Sequence, residues 1–164
     1  MKKLTLLLIC IANIAFAQEK TQTINKEIIK NCLRFGIGFQ KSLSAEIGFA
    51  RQSFPNPNVR NCAFGVSPQG YYSSLEYIAK SENYANVLGI KAGYEVNLIL
   101  FSLALEGKYQ TNFNTNDFVI TPKIGIGSST FYCFYGYNIS TNQNPFGNVG
   151  KHQFSVIFNL HSKL

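Results

Sequence analysis

The sequence predicts an all-β fold: a small antiparallel up-and-down β-barrel of about eight strands. From Cys32 onward, apolar residues alternate with small or polar ones at a period of two, which places successive side chains on opposite faces of a strand. Clusters of Pro, Gly, Asn and Ser separate these runs and mark turns. The chain of 164 residues is 46% hydrophobic and 14% charged, yet no stretch after Gln18 has the length of a membrane helix. The apolar residues must therefore lie in strands.

Residues 1–17 have the pattern of a signal peptide. Met1-Lys2-Lys3 is a basic start, an apolar run follows from Leu4 to Phe16, and Ala15-Phe16-Ala17 matches an A-x-A cleavage site. The apolar run is shorter than the roughly 18 residues that a retained membrane helix needs. We therefore expect export and cleavage before Gln18.

The remaining chain has the length of one domain. We assign residues 18–31 to a polar lead-in with a weak helical tendency and residues 32–164 to the barrel domain. The formal net charge of +7 falls to +5 when Lys2 and Lys3 are removed, and the other basic residues are scattered. That distribution argues against a nucleic-acid-binding stripe.

Eight alternating runs are the predicted strands, and the runs at 71–79 and 130–140 are the weakest of them. The others lie at 33–40, 43–50, 88–96, 99–108, 118–127 and 153–160. Pro122 falls inside one of these runs, and we expect a bulge there because proline donates no ladder hydrogen bond. The long connection from Gln52 to Gly70 falls on the side where membrane barrels have short turns. Either Val59–Val66 adds a strand or the N-terminal part departs from the simple pattern.

The less apolar face of the strands collects eight charged residues, four basic and four acidic. They are Arg34, Glu46, Glu76, Lys91, Glu95, Glu106, Lys108 and Lys123. An eight-stranded barrel is just wide enough for side chains to fill it. We therefore expect these residues to form a structural polar network in the interior, because isolated charges away from water are costly.

The more apolar face, with Tyr toward the strand ends, is typical of a lipid-facing surface with an aromatic girdle. It predicts an outer-membrane barrel with a filled polar interior and a structural or interaction role, whose partners are outer-membrane lipid and the barrel-assembly machinery. The alternative is a periplasmic lipocalin-like barrel that binds a small apolar ligand, with the apolar face inside. A charge at Phe101 or Val156 should block membrane assembly in the first case and ligand binding in the second.

No motif for catalysis, a cofactor or a metal stands out in the sequence. A lipid-modifying enzyme built on His152, Ser155 and Glu106 is a remote alternative, because the spacing of His152 and Ser155 puts them on opposite faces of one strand. We expect no enzymatic activity. Any activity should reside in the loops near Thr111–Asn116 and Thr141–Val149.

Two further groups of side chains need an interpretation. Cys32, Cys62 and Cys133 remain after cleavage, an odd number that cannot pair completely within one chain. Cys32 with Cys62 is one candidate bridge, and the wide spacings without a nearby histidine argue against zinc. The aromatic cluster from Phe131 to Tyr137 is expected to meet the lipid interface.

The C-terminal third resembles a known group of barrels. Its stretches Ile120-Thr121-Pro122-Lys123-Ile124-Gly125-Ile126-Gly127, Tyr135-Gly136-Tyr137-Asn138 and Lys151-His152-Gln153-Phe154-Ser155 resemble small uncharacterised outer-membrane β-barrel proteins of Bacteroidota-type bacteria. In that group the position of Lys123 is commonly acidic, and the chain tends to stop near the last strand rather than continue as His161 to Leu164 does here. The resemblance implies the fold and the location, and it implies no reaction.

Overall fold

The computed structural model describes residues 28–54, 66–81, 84–98 and 101–161. These ranges contain no helix and nine strands: β1 (Ile28–Phe39), β2 (Leu43–Phe54), β3 (Val66–Ile78), β4 (Val87–Leu98), β5 (Phe101–Thr111), β6 (Asn116–Gly127), β7 (Phe131–Tyr137), β8 (Ile139–Ser140) and β9 (His152–His161). No helix in this part of the chain is long and apolar enough to cross a membrane. The predicted signal peptide lies outside the described residues.

Eight of the strands form a closed antiparallel barrel. Each strand from β1 to β6 pairs with the next along the chain. β6 then pairs with β7, β7 with β9, and β9 with β1, which closes the ring. The two-residue β8 pairs with β6 and continues the line of β7. The prediction of a small up-and-down barrel of about eight strands is confirmed.

Strand β1 begins at Ile28, four residues before the predicted barrel start at Cys32. These residues continue the ladder with β2, since Ile28 pairs with Phe54 and Ile29 with Ser53. They are exposed and show no alternation of burial. This absence of a two-residue period is why the sequence assigned them to the lead-in with a helical tendency.

Pro122 interrupts one ladder without forming a bulge. Its pairing with Leu105 of β5 belongs to an unbroken register. On the other side of β6, Thr141 donates its N–H to the Phe118 carbonyl at 2.9 Å. Because such positions repeat every second residue in an antiparallel ladder, Pro122 falls where a donor toward Tyr137 is required. The missing N–H therefore separates β7 from β8, and the bulge predicted from the sequence is wrong.

In the barrel strands other than β7, the less apolar face lies inside the barrel, whereas β7 buries Tyr132 and Phe134. In β2, Ser44 and Glu46 are buried while Leu43 and Ile47 are exposed. The same alternation runs through β5 and β9. Strand alternation therefore places the apolar side chains on the outer surface.

The two ends of the barrel differ. At the end where β1 begins and β9 finishes, here called the terminal rim, the connections span residues 55–65, 99–100 and 128–130. At the opposite end, the distal rim, they span residues 40–42, 79–86, 112–115 and 141–151. The long β2–β3 connection thus lies at the terminal rim, as the sequence indicated. The additional strand considered for Val59–Val66 lies outside the described residues, except that Val66 begins β3.

The last long loop folds back over the distal mouth. Phe146 and Val149 of this loop pack with Ile78 and Val87, the adjoining ends of β3 and β4. Asn148 is buried and donates from its amide nitrogen to the carbonyls of residues 79 and 85 at 3.2 and 3.1 Å. These contacts form an apolar plug at the distal rim.

Candidate functional site

All eight charged residues predicted for the interior are buried there and connected to one another. They come from the six neighbouring strands β1 to β6. Their ion pairs form one line in which acid and base alternate. The order is Glu95, Arg34, Glu46, Lys91, Glu76, Lys108, Glu106 and Lys123.

The first half of this charge chain is centred on Arg34 and Lys91. Arg34 Nη1 lies 3.0 Å from Glu95 Oε2, and its Nε lies 3.2 Å from Glu46 Oε1. Lys91 Nζ contacts Glu46 Oε2 and lies 3.1 Å from Glu76 Oε1. Glu46 thus contacts both cations, and Glu95 and Glu76 each contact one of them. These contacts offset part of the free-energy cost of burying the charges.

The second half of the charge chain runs through Glu106. Lys123 Nζ lies 2.7 Å from Glu106 Oε2, and Lys108 Nζ lies 3.6 Å from Glu106 Oε1. Lys108 also lies 3.9 Å from Glu76, and it donates to Gln153 Oε1 at 2.5 Å. Gln153 belongs to β9, so this bond ties the charge chain to the other side of the barrel.

Tyr72 connects the two halves through both its ring and its hydroxyl. Its hydroxyl donates to Glu106 Oε2 at 2.7 Å. The Arg34 guanidinium carbon lies 3.9 Å from the centroid of its ring, a cation–π distance. The ring also lies over Gly93, where an added Cβ would come within 2.6 Å of the tyrosine. A glycine at that position is therefore needed for the ring to fit.

Neutral polar side chains occupy the interior toward the terminal rim. Gln52 donates from Nε2 to Glu95 at 3.0 Å and to the Tyr132 hydroxyl at 3.4 Å. Asn97 donates to the same hydroxyl at 2.9 Å. His161 Nε2 and Gln52 Oε1 share a hydrogen bond of 2.9 Å. This layer holds the end of the charge chain that lies toward the terminal rim.

The aromatic cluster of β7 divides between the two faces, which corrects the expectation that all of it meets lipid. Phe131, Tyr135 and Tyr137 are exposed, but Tyr132 and Phe134 are buried in the interior with their rings 5.4 Å apart. The strand period of two already contained this division. The sequence interpretation had treated the run as one surface because nearly all of its residues are aromatic.

The outer surface of the barrel is a largely apolar band. Exposed aliphatic side chains such as Ile47, Leu105 and Ile120 lie in the middle parts of their strands. Most of the exposed aromatic residues lie toward the strand ends, whereas Phe49 lies in the middle of β2. Near the distal rim they are Phe39, Tyr77, Tyr109, Phe118, Tyr135, Tyr137 and Phe154, and near the terminal rim they include Phe101, Phe131 and Phe158.

The residues considered for lipid hydrolysis do not converge. His152 lies exposed at the distal rim and shares a 2.6 Å hydrogen bond with the Tyr135 hydroxyl. Ser155 points inside and is buried, whereas Glu106 is held by the lysines of the charge chain. The His–Ser–acid arrangement therefore has no geometric basis in the structure.

The described cysteines are not bridged. Cys32 is buried, with its sulfur 3.5 Å from the Ala50 carbonyl oxygen, and Cys133 is half-buried. Cys62, its candidate partner in a disulfide, lies outside the described residues. Within the described ranges, no group of three or more His, Cys, Asp or Glu residues could hold a metal ion.

The two loops singled out as sites of activity both lie at the distal rim. The Thr111–Asn116 loop is a tight hairpin in which Asn112 Oδ1 accepts the N–H groups of Asn114 and Thr115. The Thr141–Val149 loop is largely committed to the plug. Comparison with protein-family models, curated proteins and solved structures finds no match to the chain.

Proposed function

We propose that the protein is an outer-membrane β-barrel with a filled interior and a structural or interaction role. The observation that carries the proposal is the direction of the two faces, because the apolar side chains point outward and the charged ones inward. No described segment of the chain packs over this apolar surface. The hydrocarbon region of a lipid bilayer is a surrounding in which such a surface is stable.

Three features support lipid as the surrounding medium. Aromatic residues gather near both rims and flank an aliphatic middle, as in membrane barrels. All the barrel strands except the 7-residue β7 have 10 to 13 residues, enough to reach the roughly 9–11 residues that a tilted membrane-spanning strand needs. The ring of strands is closed, so no edge of unpaired backbone groups faces the lipid.

The polar interior also weighs against the periplasmic alternative. A lipocalin-like carrier needs an apolar cavity for its ligand. The described interior is instead occupied by the charge chain, by the Gln52 and Tyr132 layer and by the plug. We therefore also propose the location and the partners expected from the sequence: export, outer-membrane lipid and the barrel-assembly machinery, with no enzymatic step assigned.

The primary test is heat-modifiable gel mobility of the protein in isolated outer membranes. A folded membrane barrel keeps a compact shape in unboiled detergent samples, so we expect boiling to change its mobility. Recovery of the protein in the soluble periplasmic fraction without a mobility shift would contradict the proposal.

A matched pair of variants tests whether lipid contacts the outward face. Leu105 and Tyr109 lie on the same face of β5, one near its middle and one near the distal rim. In vesicles we expect Leu105→Arg to lower the free energy of unfolding by about 2–4 kcal/mol and Tyr109→Arg by about 0–1 kcal/mol, because the cost of a charge depends on its depth. Equal effects at the two positions would argue against a lipid-facing surface.

A further inference from the structure

Among the described residues, the charges that remain on the outer surface have one sign. All carboxylates in the described ranges are buried, namely the four glutamates of the charge chain and Asp117. Asp117 is held by Ser140 at 2.6 Å and by the N–H of Asn142 at 3.0 Å. The four interior cations are matched by the four interior glutamates. The exposed charged residues of the described chain are Lys30, Lys41, Arg51, Lys80 and Lys151.

Two of these cations are brought together at the distal rim. β1 and β9 pair with Phe39 opposite Phe154, and continuing that register places Lys41 opposite His152. Gly150 packs against the Gln40 backbone, where an added Cβ would lie 3.1 Å from the carbonyl oxygen. Lys41 directly follows Gln40 and Lys151 directly follows Gly150, so the backbones of the two lysines are close neighbours at the distal rim.

The backbone beneath these lysines is fixed by hydrogen bonds. Asn138 donates its backbone N–H to the Lys151 carbonyl at 2.7 Å. Its side-chain nitrogen donates to the Gly150 carbonyl at 2.7 Å and to Gln40 Oε1 at 2.9 Å. One buried asparagine thus joins the turn that carries Lys41 to the strand entry that carries Lys151.

Aromatic side chains lie next to this basic pair on the lipid-facing side. His152 stacks on Tyr135 with ring centroids 6.0 Å apart, and Tyr137 meets it edge-on at 5.4 Å. Tyr135 also packs on Phe154 at 5.2 Å. Tyrosine rings of this kind reside at the headgroup level of a bilayer. The cations and the rings therefore lie where a lipid presents its phosphate above its acyl chains.

We propose that Lys41, Lys151 and His152, with Tyr135 and Tyr137, form a binding site for the headgroup of an anionic, phosphate-bearing lipid. The lysines supply charge and hydrogen-bond donors to the phosphate. The tyrosine rings contact the glycerol or sugar region and the first part of the chains. This site rests on the proposed membrane function, since a lipid ligand requires that the apolar band face the bilayer.

The test uses the full chain refolded in neutral detergent micelles and titrated with phosphatidylglycerol, with native mass spectrometry as the readout. We expect a bound lipid with the unmodified chain and weaker binding of phosphatidylcholine. The double variant Lys41→Gln/Lys151→Gln should lose about thirtyfold in affinity, because each lysine near an anionic surface contributes a factor of about five to six in affinity. Lys30→Gln/Arg51→Gln at the terminal rim is the matched control and should keep its affinity.

The other outcomes overturn the site. Equal loss in the two double variants would mean diffuse charge attraction, and equal binding of both lipids would mean that the net negative charge of the headgroup is not recognised. Displacement by inorganic phosphate at concentrations equal to the lipid would show that the acyl chains are not used. Heat-modifiable mobility of each variant in lipid-free micelles is measured first, so a failure of the membrane barrel itself is distinguished from a failure of the site.

Discussion

Lys91 is the interior residue whose loss should disturb the charge chain most. It lies between Glu46 and Glu76, and it is 1% exposed. Lys91→Met keeps most of the side-chain volume but leaves two buried carboxylates without this cation. Breaking a buried pair in this way typically costs about 3–5 kcal/mol. We expect a loss of that size in the free energy of unfolding, measured by urea denaturation in vesicles.

Lys80→Met is the control for that experiment, because Lys80 is exposed at the distal rim. Its substitution should change the free energy of unfolding by less than about 0.5 kcal/mol. If Lys91→Met were as mild as the control, the interior would tolerate unpaired carboxylates, and the charge chain would not be the structural element described above.

Phe113 is the second residue with a clear prediction. It stands at the tip of the β5–β6 hairpin, 82% exposed, with a φ of 68°. For a residue with a Cβ, this left-handed backbone conformation costs about 1–2 kcal/mol of conformational free energy, whereas glycine adopts it without that cost. Phe113→Gly should therefore raise the free energy of unfolding by about 1 kcal/mol. The neighbouring Asn114, whose φ is not positive, is the matched position: Asn114→Gly should lower it instead.

Among the elements, β6 carries the most specific prediction, since Pro122 alone separates β7 from β8. Pro122→Val supplies an N–H opposite Tyr137 and a β-branched residue on an exposed strand face. We expect β7 and β8 to become one strand and the free energy of unfolding to rise by about 0.5–1.5 kcal/mol, the net value of one hydrogen bond.

Hydrogen exchange provides the direct measurement of that change. The new amide at position 122 should be protected as strongly as its neighbours in β6, whereas Ile124→Val should leave the exchange pattern unchanged. An unprotected amide at 122 would mean that the chain around Tyr137 and Asn138 is kept apart by something other than the proline.

The strands themselves were accessible from the sequence because burial in a barrel follows the strand period. That period alone predicts that Arg34 and Glu46 lie inside the barrel and Ile47 outside. It could not assign the ion pairs, because the partners depend on the register and stagger of six strands. It also missed the start of β1, where Ile28 to Asn31 extend a ladder without alternating.

At the scale of the whole molecule, the least predictable feature was the plug. The sequence identified residues 141–150 as a polar, turn-rich connection, and Phe146 and Val149 were the only apolar signals within it. Whether such residues fold inward depends on the width of the mouth and on the receiving residues Ile78 and Val87, which belong to distant strands. Local patterns carry no information about that contact.

The filled interior leads to a prediction about transport. Along the barrel axis, the Gln52 and Tyr132 layer, the charge chain and the plug follow one another. Ions would have to displace paired charges in the middle layer even if the plug were removed. We therefore expect no conductance from the protein in planar lipid bilayers, because an eight-stranded barrel has room for its side chains and little else.

A variant that removes part of the plug tests whether the plug only covers the distal mouth or controls a path for ions. Phe146→Ala should lower the free energy of unfolding by about 3–5 kcal/mol, because a buried aromatic ring is lost. It should still give no current, since the charge chain below the plug remains intact. Phe113→Ala, at an exposed tip of the same rim, is the control and should affect neither quantity in that direction. Discrete current steps from Phe146→Ala would instead show that the plug gates a path and that the interior charges line it.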